Sequence, residues 1–78
     1  MKGDGRMLNT LKNLRLRAGL TQEEAARRIN VKQNQISSWE HGRFLPMARR
    51  IPAIAKTYRC TAEDVIDAMN ATITARNR

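Results

Sequence analysis

Cysteine, proline and aromatic residues are all scarce in this 78-residue chain, which has one Cys, two Pro and a single Trp, Tyr and Phe. One cysteine cannot form an intramolecular disulfide, and with the lone His41 it cannot make a zinc site. No metal or cofactor is therefore expected. Folding must rest on packing alone, and a reducing interior is the natural home. Three scattered aromatics give no stacking platform for single-stranded nucleic acid. No apolar run approaches the ~20 residues of a membrane span, and no signal-like apolar segment opens the chain. The expected location is the cytoplasm, away from membranes. There is no Gly-rich phosphate loop and no set of nucleophile, base and orienting residue, so no enzyme is expected. Glu63, Asp64 and Asp67 suit helix capping and dipole chemistry better than a cation site. Strand-like alternation is absent too, leaving an all-α domain of modest size.

Acidic residues are also few. Fifteen Lys and Arg against seven Asp and Glu give a net charge of +8 and a pI near 11.1. Charge of this sign and density fits a polyanionic partner, most often nucleic acid, although acidic membrane surfaces attract it as well. Its distribution is uneven. Lys2, Arg6, Lys12, Arg15 and Arg17 crowd the first segment, whereas Glu63, Asp64 and Asp67 gather near the end. The DNA-facing pole is expected towards the N-terminal half.

What the chain does have is helical period punctuated by caps. Leu8, Leu11, Leu14 and Ala18 recur at three- and four-residue steps and predict a first helix from about Met7 to Ala18, with Gly19 at its left-handed end. Thr21 and Glu24 have the spacing of a capping box, and the helix they open turns Ala25, Ala26 and Ile29 inward. Asn30 tolerates positive φ and marks a turn that Val31 plugs. A third helix is predicted from about Gln33 to Glu40, ended by Gly42. A fourth spans about Ala48 to Tyr58, with Pro52 admissible only in its first turn. Thr61 and Asp64 start a fifth, whose inward face is Val65, Ile66 and Met69. The ends, Met1 to Gly5 and about Thr72 to Arg78, are expected to be loose.

The third helix carries the functional signal. With Ile36 inward, a rotation of about 100° per residue puts Trp39 and Glu40 beside it. Asn34, Ser37, Ser38 and His41 then face outward, flanked by Gln33 at the open end. Lys and Glu would serve plain solvation better than this Asn, Ser and Gln face. Amides can pair bidentately with adenine N6 and N7, and hydroxyls can donate or accept, so the face suits base reading. The plain alternative is a solvated helix face. Trp39, by the same geometry, is a core residue rather than a stacking one, and Cys60 is expected as a buried structural thiol.

The run Leu14-Arg15, Leu20-Thr21-Gln22, Ala26, Val31, Ile36 to Gly42, Pro46, Ile54-Ala55, Tyr58 and Val65-Ile66 resembles the Cro/cI-type, XRE-like helix-turn-helix family of phage repressors and related regulators. The resemblance covers about residues 7–68. It implies a compact five-helix bundle with a central helix-turn-helix, a flexible tail over 1–6, and an extension over 69–78 that dimerises or is disordered. It also implies base contacts from Lys32, Gln33, Asn34, Ser37 and Ser38. Phosphate contacts are implied at Gln22 and Arg43, with Thr21 and His41 as further candidates, and an internal ion pair joins Arg15 to Glu40. Three departures stand out: Asn30 occupies the usual turn glycine, Pro52 lies unusually inside the fourth helix, and Arg59 replaces a frequent glycine between the last two helices.

The function expected on this resemblance is a sequence-specific transcriptional regulator, bacterial or phage-encoded. It would be a repressor that binds an operator in double-stranded DNA as a homodimer. Val65, Ile66, Met69, Ile73 and Phe44-Leu45 are candidate dimer contacts, with completion of the monomer core as the alternative. Two rivals share the fold: an antitoxin that binds a toxin as well as its promoter, and an adaptor or coactivator that binds protein instead of bases.

Overall fold

Thr10 sets the start of the first helix. The computed structural model describes residues 9–77. Met7, Leu8, the 1–6 tail and the cations Lys2 and Arg6 lie outside the described residues. Helix α1 runs Leu11–Arg17, with the Thr10 hydroxyl accepting from the Asn13 N–H at 3.2 Å. The leucine period predicted a start near Met7. A hydroxyl that satisfies a free amide donor defines the boundary more sharply than periodicity does. Gly19, at φ 77°, closes the helix, as its N–H donates to the Leu16 carbonyl at 2.9 Å and that of Leu20 to Arg15 at 3.2 Å.

Helix α2 (Gln22–Ile29) opens on the expected capping box. The Thr21 N–H donates to Glu24 Oε1 at 2.9 Å, and the Glu24 N–H to Thr21 Oγ1 at 3.1 Å. Asn30 ends it at φ 69°, and helix α3 follows over Gln33–Glu40. The expected fourth helix opens instead as a 3-10 turn at Ala48–Arg50 and becomes α-helical only as α4, Ile51–Tyr58. An α-helix begun at Ala48 would need an N–H on Pro52 to bond the Ala48 carbonyl, and proline has none. Arg59 takes the left-handed conformation at φ 58°, and Thr61 caps α5, Ala62–Arg76.

The C-terminal turns differ from expectation. Residues from Thr72 onward were expected to be loose, yet α5 continues to Arg76 and Thr72 is buried. Thr72 Oγ1 accepts from the Leu11 N–H at 3.0 Å and donates to the Ala68 carbonyl at 2.7 Å. The hydroxyl thus satisfies an otherwise orphaned donor at the start of α1, across 61 positions of sequence.

No strand occurs among the described residues, and the fold is a bundle of five α-helices. Ile36, Ile54 and Val65 fill its centre, with Leu11, Leu14, Ile29, Trp39 and Tyr58 around them. Helices α2 and α3 pack together, α5 lies against α4 and α1, and no described helix is long and apolar enough to cross a membrane. Val65 was a candidate dimer contact, but it is fully buried inside the monomer and has no surface to offer a second copy. Met69 is half-buried against the same core, while Ile66, expected on the inward face of this helix, is exposed instead. Cys60 is half-buried rather than enclosed; burial pushes its thiol up, and Asp64 acts in the same direction.

Candidate nucleic-acid interface

Two supports fix the orientation of α3. The first is apolar: Ile36 and Trp39, about one turn apart on α3, are buried in the central core, and α3 as a whole packs mainly against α2. The second is ionic. Arg15 Nε donates to Glu40 Oε2 at 2.6 Å and Nη2 to Oε1 at 3.0 Å, with both side chains buried. Arg15 Nη1 also donates to the Leu20 carbonyl at 2.8 Å. One guanidinium therefore joins α1, the turn before α2 and the end of α3. The hydrogen bond to Glu40 raises the Arg15 pKa, partly offset by burial. Burial also raises the Tyr58 phenol pKa, and the nearby Glu40 carboxylate adds to that rise.

Gln22 belongs to this cluster. Its Nε2 donates to Glu40 Oε1 at 3.0 Å, so one amide hydrogen already points inward from the start of α2. Its remaining amide groups sit at a helix N-terminus, where free backbone donors favour an anion. The neighbouring Thr21 hydroxyl uses its oxygen as the helix cap and keeps its own proton to donate.

On the opposite side of α3 lie the side chains singled out from sequence. Lys32, Gln33 and Asn34 are exposed at its first turn, and Ser37 and Ser38 are half-buried further along. Gln35 bends back so that its Oε1 accepts from the Lys32 N–H at 3.2 Å. It works as a cap, which leaves Gln33 and Asn34 as the amides facing outward. His41 is exposed, and its Nδ1 donates to the Ser37 carbonyl at 2.8 Å, which folds the ring against its own helix. Arg43 follows in the loop and is also exposed.

Next to this ridge runs an open groove of about 490 Å³, where Asn34 and Ser38 face Phe44, Leu45, Arg49 and Arg50. The two arginines of the 3-10 turn were missed by the sequence reading. A doubled arginine just before a proline-started helix was the available signal. The exposed loop residues Phe44, Leu45 and Met47 border the groove, with Phe44 at 69% exposure. The surface therefore combines an amide and hydroxyl ridge with flanking cations and a small apolar rim. It offers groups that can hydrogen-bond base edges beside groups that can neutralise phosphate.

A family model described as helix-turn-helix matches residues 11–65. The chain is also similar to a protein of Archaeoglobus fulgidus described as an uncharacterized HTH-type transcriptional regulator. The two are 30% identical over 59 residues, which cover 76% of this chain and 84% of the relative. No solved structure matches the chain.

Proposed function

This chain belongs to the helix-turn-helix family of DNA-binding transcriptional regulators, and from that premise we propose that it is a sequence-specific repressor that binds its operator as a dimer. The observation that carries the reading is the outward amide row of Gln33 and Asn34, with Ser37 and Ser38 behind it, on a helix fixed from beneath by Ile36, Trp39 and the Arg15–Glu40 pair. Helix α3 enters the major groove, where Lys32, Gln33, Asn34, Ser37 and Ser38 meet base edges. Gln22 and Thr21 hold phosphate on one side of the groove. Arg43 and His41, joined by Arg49 and Arg50, hold it on the other. Two phosphate-gripping edges around one reading ridge set register and tilt, and the ridge supplies sequence preference.

Dimerisation follows from arithmetic. One short helix reads only a few base pairs, and genomic DNA offers very many competing sites. Two copies with half-sites about one helical turn apart, ~34 Å, multiply the discrimination. The molecule measures 36 × 24 × 22 Å, a size that supports two copies side by side at that spacing. Phe44 and Leu45, exposed next to the reading ridge, are the proposed seam. Repression is by occupancy, since a dimer over a promoter excludes polymerase.

Selection of bound sequences from a random duplex pool tests the reading. The expected result is an enriched motif of two inverted half-sites about one turn apart. Failure to enrich any motif would overturn base reading, and enrichment of an unpaired half-site would overturn the dimer.

A further inference from the structure

We propose that Arg76 is a positioning residue for base reading, and that the last turn and a half of α5, beyond the family-matched segment, braces the exit of the recognition helix α3. The proposal rests on the base-reading role given above to α3.

Helix α3 ends in a Schellman arrangement. The Arg43 N–H donates to the Ser38 carbonyl at 3.0 Å and the Gly42 N–H to the Trp39 carbonyl at 3.1 Å, with Gly42 at φ 73°. These bonds leave the carbonyl of His41, at the C-cap, without a partner from its own helix. Arg76 supplies it: Nη1 donates to the His41 carbonyl at 3.0 Å, from 35 positions away. The contact is close along its length. A Cβ placed on Gly42 would lie 3.2 Å from Arg76 Cδ, 3.3 Å from Arg76 Cβ and 3.5 Å from the Thr72 carbonyl oxygen. Gly42 is thus favoured by its left-handed backbone, and a side chain there would also crowd Arg76.

A guanidinium at this place also opposes the partial negative charge at the end of α3. One turn earlier, buried Thr72 ties the same stretch of α5 to the Leu11 N–H at the start of α1. Helix α1 carries Arg15, which grips Glu40 one residue before His41. The C-terminal turns of α5 therefore hold the exit of α3 directly through Arg76 and indirectly through α1. The family match ends at residue 65, so this brace lies outside it. Ser37, Ser38 and Arg43 sit within one turn of the braced carbonyl. Releasing it lets the second half of the reading ridge and the loop cation move relative to Gln33 and Asn34.

The test compares wild type with Arg76→Ala and Arg76→Lys on the duplex recovered by selection and on a scrambled duplex, over a range of salt. Amide exchange of Arg43 is followed in the free protein. Arg76→Ala is expected to lower the ratio of selected to scrambled affinity by about three- to tenfold, the worth of one ordinary hydrogen bond, because this one is exposed to solvent. The salt dependence should be unchanged, Arg43 should exchange faster, and Arg76→Lys should retain most of the ratio. Equal weakening on both duplexes with a flatter salt dependence would show a phosphate contact and overturn the brace. A wild-type ratio in Arg76→Ala, where Gln33→Ala lowers it, would overturn the brace as well. If Gln33→Ala and Asn34→Ala leave the ratio untouched, base reading itself has failed. Arg43 exchange then decides, and an unchanged rate sinks the brace.

Discussion

Glu40 has three donors aimed at its carboxylate, two from Arg15 and one from Gln22. A carboxylate removed from water is tolerable only with such pairing. Glu40→Ala leaves the Arg15 guanidinium buried with the Leu20 carbonyl as its remaining partner. Loss of one member of a buried pair typically costs about 3–5 kcal/mol. A fall of that order is expected in chemical unfolding, and a midpoint equal to wild type would refute the structural role. Arg59 makes the opposite case. It holds a left-handed backbone that a side chain disfavours by about 1–2 kcal/mol. Arg59→Gly should therefore raise stability by roughly 1 kcal/mol, the gain being trimmed by the looser unfolded chain. Asn30, at φ 69°, suffers less from the same geometry because its short amide tolerates that region.

At the scale of elements, α2 depends on its cap. The Glu24 pKa is lowered from 4.5, first by the bond it accepts from the Thr21 N–H, then by the Thr21 side chain. A folded-state pKa below the unfolded one means the bond adds stability above the ordinary carboxylate range. That stability is lost as pH falls through the folded value. Glu24→Gln should thus be less stable than wild type at neutral pH, and the gap should close below about pH 4. A gap that persists in acid would mean that charge has no part in the cap. In the proposed complex the same element presents Gln22 to phosphate, so loosening its first turn should also weaken DNA binding, which a titration of the same variant measures.

For the molecule as a whole, the division between reading and gripping predicts two kinds of loss. Gln33→Ala or Asn34→Ala should cost about 1–3 kcal/mol on the selected duplex and relax preference at particular bases. Arg43→Ala should weaken every duplex alike and reduce the salt slope by about one. Binding isotherms on matched and single-base-changed duplexes separate the two. A base-selective loss at Arg43, or a uniform loss at Gln33, would reverse their assigned roles. The net charge of +8 makes both measurements sensitive to ionic strength, so they must be compared at one salt concentration.

The sequence by itself determined the five helices and the caps between them, though not the start of α1, the 3-10 opening of the fourth helix or the far end of α5. The Thr21–Glu24 and Thr61–Asp64 boxes, Gly19, Asn30 and Gly42 act within a few residues of where they stand, so local hydrogen-bond closure is legible in order and spacing. The outward ridge on α3 was legible for the same reason, because one buried isoleucine fixes the phase of a helix. Tertiary structure decided what depends on distant partners. Thr72 and Arg76 are ordered because their groups satisfy a donor at Leu11 and a carbonyl at His41, and nothing near them in sequence announces either contact. Gln22 joins the Arg15–Glu40 pair only when α2 is laid across α3, and Arg49 and Arg50 flank the ridge only once the loop is folded back. Short-range order follows from the chain's own backbone needs; long-range order waits on which polar groups are left unsatisfied when the helices pack.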